Sequence, residues 1–314
     1  MDYSEAYKKI KILQETLGLV IKGKPEVIGL AVTTLFAKGH LLIEDVPGVG
    51  KTTLAHAMAR SINCTFQRIQ FTSDLLPSDC IGVTVYNGAK HEFEFRKGPI
   101  FANIVLADEI NRSTPKTQSA LLEAMNDRQV SVDKTTYQLP EPFMLLATQN
   151  PLEFAGTFPL PESQLDRFTI CIKMGYPSMT DEKKIIRQAS SASVMKELKP
   201  VLSAGEVLDI QGLVEKVRVE EDLLNYIITI AEGTRRHRAI RLGVSPRGTM
   251  TLYRAAQAFA LASGRDYCTP DDVKGLVTPV FAHRIIPAAS LVGEEVNEAR
   301  ALLEEILSGI TVPI

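Results

Sequence analysis

A glycine-containing loop between a predicted strand and a predicted helix is the segment best suited to chemistry. The apolar run HLLIE at His40–Glu44 leads into DVPGVGKT, and a helical pattern begins at Lys51. Gly48 and Gly50 allow backbone N–H groups to curl around anionic oxygens, and the helix N-terminus adds its positive end. This order of strand, loop and helix predicts a phosphate-binding loop.

Two positions of this loop have predicted side-chain roles. We expect Lys51 to contact the β and γ phosphates of a nucleotide and Thr52 to hold Mg²⁺. The usual first glycine of the pattern is replaced by Asp45, so the loop matches three of its four defined positions. The predicted nucleotide-binding residues here are Pro47, Gly48, Val49, Gly50, Lys51, Thr52 and Thr53.

A second predicted strand, IVLAD, ends in two acids, Asp108 and Glu109, 57 residues after Lys51. Acids at the end of a buried strand are costly unless a cation meets them. We therefore expect Asp108 to organise Mg²⁺ through its water shell and Glu109 to polarise an attacking water.

The next apolar run, FMLLATQ, ends at Asn150, where open α/β sheets bind their ligands. An Asn-Pro pair after a strand is usually a turn, so this position alone predicts little. Following the loop and the acids, Asn150 is a candidate for orienting water near the γ phosphate.

The remaining patterns predict the elements that hold these residues. Two helices precede Gly39, and five short apolar runs alternate mostly with helices, which is typical of a parallel α/β sheet. Alternating residues predict hairpin insertions near 82–97 and 129–140. We predict a nucleotide-binding core at 1–177 and a helical domain at 178–314. The five runs are HLLIE, FQRIQF, IVLA, FMLLAT and FTICI.

Composition excludes several classes of protein. The chain has 314 residues, 45% hydrophobic and 23% charged, with a net charge of −2. These values are typical of a folded globular protein and give no general attraction for nucleic acid. Without a run of about 20 apolar residues or paired cysteines, the sequence predicts a cytoplasmic protein without membrane insertion, disulfides or zinc. The arginine-rich segment 235–241 contains no aromatic residues and is interpreted as a solvated or intersubunit face.

Together these segments resemble the AAA+ ATPases and, within them, the MoxR group. The resemblance extends over nearly the whole chain and includes EDVPGVGKT, the segment from GPIF to LLEAM, FMLLATQNP, LPESQLDRF and VSPRG. It implies a P-loop core with a parallel five-stranded sheet flanked by helices, followed by a smaller all-α lid domain. The cofactors implied are ATP and Mg²⁺.

The resemblance also assigns roles to single residues. It implies that Asp108 and Glu109 are the Walker B acids and that Asn150 is sensor 1. Arg167 resembles the arginine finger that reaches the ATP of a neighbouring subunit, and Arg247 resembles sensor 2, which links the lid to the phosphates. The two hairpins correspond to the helix 2 insert and the pre-sensor 1 insert, which such machines direct at partners.

Arg112, which follows the Walker B acids, is a further candidate for action across the subunit interface. The implied function is ATP hydrolysis between the subunits of a hexameric ring that remodels a protein client, often one with a von Willebrand factor A domain. Three alternatives remain open at this stage: a nucleic-acid motor such as a helicase or loader, a metal-chelatase motor subunit, and a P-loop kinase.

Overall fold

The computed structural model describes residues 1–150, 156–187, 195, 197–289 and 295–313. Five parallel strands form the central sheet, and all five strands expected from the sequence are confirmed. Their bounds are β1 Leu41–Glu44, β2 Phe66–Gln70, β5 Ile104–Asp108, β8 Met144–Gln149 and β9 Ile170–Ile172. Their order across the sheet is β2-β5-β8-β1-β9.

Helices cover both faces of this sheet because successive side chains of a buried strand point to opposite sides. Leu41 and Ile43 pack into one apolar cluster, whereas Leu42 packs into another. The helices of this part are α1 Tyr3–Val20, α2 Pro25–Phe36, α3 Lys51–Ser61, α4 Pro77–Ile81, α5 Pro115–Asp127 and α6 Glu162–Leu165, and a 3₁₀ turn spans Ile110–Arg112.

Both predicted hairpins are present outside the central sheet. One pairs β3 Gly82–Asn87 with β4 Glu92–Lys97, and the other pairs β6 Gln129–Val132 with β7 Thr135–Gln138. The second turns at Asp133 and Lys134, both with positive φ, as a tight two-residue hairpin requires. The hairpins meet where the rings of Phe95 and Tyr137 stack with centroids 4.2 Å apart.

The C-terminal part is helical and packs on the N-terminal helices. Its helices are α7 Met179–Arg187, α8 Ala204–Val214, α9 Glu221–Arg236, α10 Pro246–Ala262, α11 Pro270–Phe281 and α12 Glu295–Ser308. Helix α10 lies against α1 and α2, so one continuous apolar cluster joins these helices to one face of the sheet. Among the described helices, none is long and apolar enough to span a membrane.

One short strand pair in this region was not predicted. Strand β10, Ile240–Leu242, pairs antiparallel with β11, Ile286–Pro287. Sequence periodicity cannot predict such a pair, because two or three residues are too few to show alternation of apolar and polar side chains. The division into domains at 1–177 and 178–314 stays a prediction.

Candidate active site

The predicted phosphate-binding residues meet in one cavity of about 330 Å³ at the carboxyl edge of the sheet. It is lined by Pro47, Gly48, Gly50, Lys51, Thr52, Thr53, Arg68, Gln70, Asp108, Glu109 and Asn150. Val49 instead packs against the apolar core. We call this space the phosphate-loop cavity.

Two glycines give the loop its shape. Gly48 has a φ of +85° and Gly50 a φ of +98°, values that side chains with a Cβ rarely adopt. Helix α3 begins directly after Gly50, at Lys51. The unpaired N–H groups of its first turn therefore belong to the same loop and favour an anion.

Asp45, which replaces the usual first glycine, fastens the loop to the sheet. Its Oδ1 accepts a hydrogen bond from Val46 N at 2.8 Å, and its Oδ2 accepts one from Gly175 N at 2.5 Å. Its carbonyl oxygen accepts a bond from Lys51 Nζ at 2.6 Å. The Asp45 side chain thus links the loop to the segment after β9, while the backbone carbonyl of the same residue holds the Lys51 side chain beside the cavity.

Asp108 is held on both carboxylate oxygens. Thr148 Oγ1 donates to Oδ1 at 2.6 Å from the neighbouring strand β8. Arg68, on the edge strand β2, donates to Oδ2 from Nε at 3.0 Å and from Nη2 at 2.5 Å. Arg68 therefore supplies the cation that a strand-end acid with little exposure requires.

Glu109 sits in an unusual backbone conformation. Its φ is +58° and its ψ is +48°, a left-handed geometry that a non-glycine residue keeps only when its surroundings enforce it. Its N–H donates to Thr148 Oγ1 at 2.8 Å, and its Oε2 accepts from Gln70 Nε2 at 2.9 Å. Arg112 Nε lies 3.0 Å from the same oxygen. Arg112 thus contacts the acid of its own subunit in this structure.

The oxygen donors of the cavity fit a magnesium ion. Mg²⁺ prefers hard oxygen ligands, keeps several waters and is commonly held by one or two carboxylates together with substrate phosphates. Asp108 offers a carboxylate and Thr52 a hydroxyl on the wall of the same cavity. When bound there, the ion would neutralise phosphate charge.

Arg167 and Arg247 line a different cavity, of about 190 Å³. Arg247 lies there because α10 packs on the N-terminal helices, and its guanidinium donates to Asn126 Oδ1. Its role as sensor 2 stays a prediction. This arginine cavity is lined by Ala37, Lys38, Gly39, His40, Met125, Asn126, Arg128, Arg167, Thr169, Arg247, Met250, Thr251 and Arg254.

The electrostatics of the arginine cavity favour an anion. Burial and the neighbouring charge of Arg247 lower the pKa of Arg167. Burial also lowers the pKa of His40 to about 4, so this wall residue is neutral at pH 7. His40 Nδ1 accepts from Leu145 N, and its Nε2 lies 3.2 Å from the carbonyl oxygen of Met125. Guanidinium groups placed together at a neutral wall would be stabilised by an incoming phosphate.

The site also contains three residues that the sequence patterns did not predict: Arg68, Gln70 and Thr148. A signal existed for the first two, because residues two apart on a strand share a face. A strand with two long polar side chains on one face, next to a strand that ends in acids, points to a polar site. Thr148 gave no such signal, since it lies within an apolar run and is fully buried.

Comparison with known proteins agrees with this geometry. Residues 40–170 match the model of the ATPase family associated with various cellular activities (AAA), and residues 232–306 match an AAA lid domain. The chain is 48% identical to the Bacillus subtilis uncharacterized protein YeaC, over 96% of this chain and 93% of that one. It is 37% identical to the Mycobacterium tuberculosis chaperone MoxR1, over 94% of this chain and 80% of that one.

A solved structure extends the agreement to three dimensions. The crystal structure of a protein from Cytophaga hutchinsonii, described as a "putative ATPase", superposes with a TM-score of 0.90 at 38% identity. The match covers 99% of this chain and 97% of that one. With the AAA and AAA lid matches and a chaperone MoxR1 relative of 37% identity over nearly the whole chain, the chain belongs to the MoxR group of AAA ATPases.

Proposed function

We propose that this ATPase hydrolyses Mg²⁺-bound ATP at the interfaces of a homo-oligomeric ring of six subunits and uses the energy to remodel a protein client. The observation that carries the proposal is the separation of the two cavities. The phosphate-loop cavity is lined by Lys51, Asp108, Glu109 and Asn150. The arginine cavity is lined by Arg167 and Arg247, whose charges could stabilise the transition state. A ring lets the arginine cavity of one subunit face the phosphate-loop cavity of the next.

In this arrangement each residue has a defined task. Lys51 and the loop amides bind the β and γ phosphates, and Glu109 accepts a proton from the attacking water. Asn150 orients that water. Arg167 and Arg247 stabilise the negative charge that spreads over the γ oxygens during transfer. The ground-state contact of Glu109 with Arg112 and Gln70 must loosen for the acid to reach the water.

Two features support a protein client. One curated relative is named a chaperone. The β3–β4 hairpin also presents Phe93, which is 74% exposed and meets Tyr86 edge to face, with ring centroids 5.3 Å apart. An exposed aromatic pair on a projecting hairpin is suited to a protein surface. The MoxR resemblance adds a protein with a von Willebrand factor A domain as the partner class. The cytoplasmic location remains the prediction made from the sequence composition.

The arginine-rich segment 235–241 gives no support to a nucleic-acid motor. Arg236 is ion-paired with Glu232 at 2.9 Å, and Arg235 donates to the carbonyl oxygen of Val244 at 2.8 Å. Two of the four arginines of the segment thus have partners within the lid, which weakens the case for a phosphate-tracking face.

Specific ATPase activity measured against protein concentration tests the shared site, with light scattering on the same samples in ATP. We expect specific activity to rise as larger particles form. A 1:1 mixture of two inactive variants, Lys51→Ala and Arg167→Ala, should recover about a quarter of the wild-type rate. Half of its sites have an intact loop, and half of those face an intact arginine. A flat concentration dependence in an active monomer would contradict the proposal.

The loop assignment has its own test. Lys51→Ala is expected to weaken ATP binding by about 100-fold, because a charge-assisted contact to phosphate is lost from the cavity. Isothermal titration of ATP measures this directly. Lys90→Ala is the matched control, since this lysine pairs with Glu94 on the exposed hairpin. Normal ATP affinity in the Lys51 variant would disprove the phosphate-loop assignment.

A further inference from the structure

A buried ion pair joins the lid to the turn that carries Arg167. Arg284, after helix α11, has a side chain that is only 1% exposed, and its Nε donates to Asp166 Oδ1 at 2.9 Å. The same guanidinium donates to the carbonyl oxygens of Asp166, Phe168 and Thr169. A planar fork of five donors is suited to hold one turn of backbone in this way.

The second oxygen of Asp166 reaches the helix that carries Arg247. Asp166 Oδ2 accepts from Ser245 Oγ at 2.9 Å, and Ser245 is the N-cap of α10, where its Oγ accepts from Gly248 N at 3.1 Å. Arg247 lies two residues after this cap, and Arg167 directly follows Asp166. A single carboxylate thus contacts both segments that present the arginines.

Close packing leaves this junction little freedom. A Cβ added at Gly248 would lie 2.6 Å from Val244 Cγ1 and 3.0 Å from Arg284 Cδ. An ion pair in such a place is weak evidence for stability, because apolar replacements of buried pairs are often neutral. The directional hydrogen bonds of this pair do fix the positions of the two segments it joins. Arg167 and Arg247 need such fixed positions if both guanidinium groups are to act on one phosphate.

We propose that Asp166 and Arg284 are positioning residues for phosphoryl transfer, which hold Arg167 and Arg247 as one aligned pair for the ATP of the neighbouring subunit. This inference rests on the shared site proposed above. The lid and the turn before β9 then move together, so that an incoming γ phosphate meets both guanidinium groups or neither.

Asp166→Asn tests the proposal, since it keeps the side-chain size and removes the charge that pairs with Arg284. We expect kcat to fall about 100-fold, the usual cost of a misplacement near 1 Å. The Kd for ATP should stay within about twofold, because the phosphate-loop cavity is untouched. In an Arg167→Ala background the same substitution should cost less than about tenfold, because one of the two groups it positions is already missing.

Asp272→Asn is the matched control. Asp272 is a buried lid carboxylate whose two oxygens accept from Arg265 at 2.6 Å each, and neither residue lines the arginine cavity. Loss of this pair should lower the melting temperature as much as Asp166→Asn does, yet leave kcat within about twofold. Equal kcat in the two variants would reduce Asp166 to a structural role and overturn the proposal.

Ser245→Gly provides a second variant in case Asp166→Asn folds poorly. Glycine is tolerated at an N-cap, so α10 should persist while its hydroxyl link to Asp166 is lost. We expect kcat to fall about tenfold with ATP affinity unchanged. Unchanged kcat in a folded Ser245→Gly variant would show that the link does not position Arg247.

Subunit mixing separates this proposal from the proposed function. Asp166→Asn mixed with Lys51→Ala should recover about a quarter of the wild-type rate, as the Arg167→Ala mixture does. Recovery with Arg167→Ala but not with Asp166→Asn would keep the shared site and refute the positioning role. Failure of the Arg167→Ala mixture itself would refute the shared site, and the positioning role with it.

Discussion

Subunits that carry Arg167→Ala are expected to bind ATP with normal affinity and to hydrolyse it at least about 10³-fold more slowly. Their own phosphate-loop cavity is intact, since Arg167 does not line it. In the proposed shared site they lack the positive charge that stabilises the transition state of the neighbouring subunit, where a positioned guanidinium is worth far more than in water. Steady-state kinetics at saturating ATP, with particle size followed in parallel, measures the loss.

Arg236→Ala controls for loss of an arginine as such. This residue is exposed and paired with Glu232 in the lid, away from both cavities. It should keep the wild-type rate. A monomeric Arg167→Ala variant with full activity would place the transition-state charge within one subunit and contradict the ring site.

Glu109→Gln is the second substitution with a large expected effect. The amide keeps the shape of the acid but cannot accept a proton from water, so kcat should fall by about 10²–10⁴-fold while ATP remains bound. Gln70 can still bond the new side chain, whereas the ion pair with Arg112 is lost. Single-turnover hydrolysis of prebound ATP isolates the chemical step.

Glu94→Gln is the matched control for this substitution. Glu94 accepts from Lys90 and Asn87 on the exposed hairpin, and its replacement removes one carboxylate without touching the phosphate-loop cavity. Wild-type turnover is expected. An unchanged single-turnover rate in Glu109→Gln would move the general base to another residue.

The parts of this molecule that were predictable are those set by local pattern. The five apolar runs form the five strands, and the phosphate loop lies between β1 and α3. Both were predictable because strand length, glycine spacing and the start of a helix depend on residues that are close together in the sequence. The meeting of the loop with Asp108 and Glu109 followed from the rule that parallel strands present their carboxyl ends at one edge.

The unpredicted parts depend on contacts between distant segments. Asp166 and Arg284 are 118 residues apart, and the sequence around each residue contains no pattern that predicts their contact. The place of Arg247 follows from how α10 packs on α1 and α2, which a pattern of apolar residues does not specify. The left-handed conformation of Glu109 is imposed by its surroundings, against the residue's own preference.

The bond between Arg68 and Asp108 has a consequence for the proposed magnesium site. The Arg68 guanidinium donates to Asp108 Oδ2 from two nitrogens, so it competes with a bare Mg²⁺ for this carboxylate. The phosphates of a bound ATP would offer Arg68 another anionic partner and the metal further oxygen ligands. We therefore expect Mg²⁺ to bind at Asp108 more tightly together with ATP than alone.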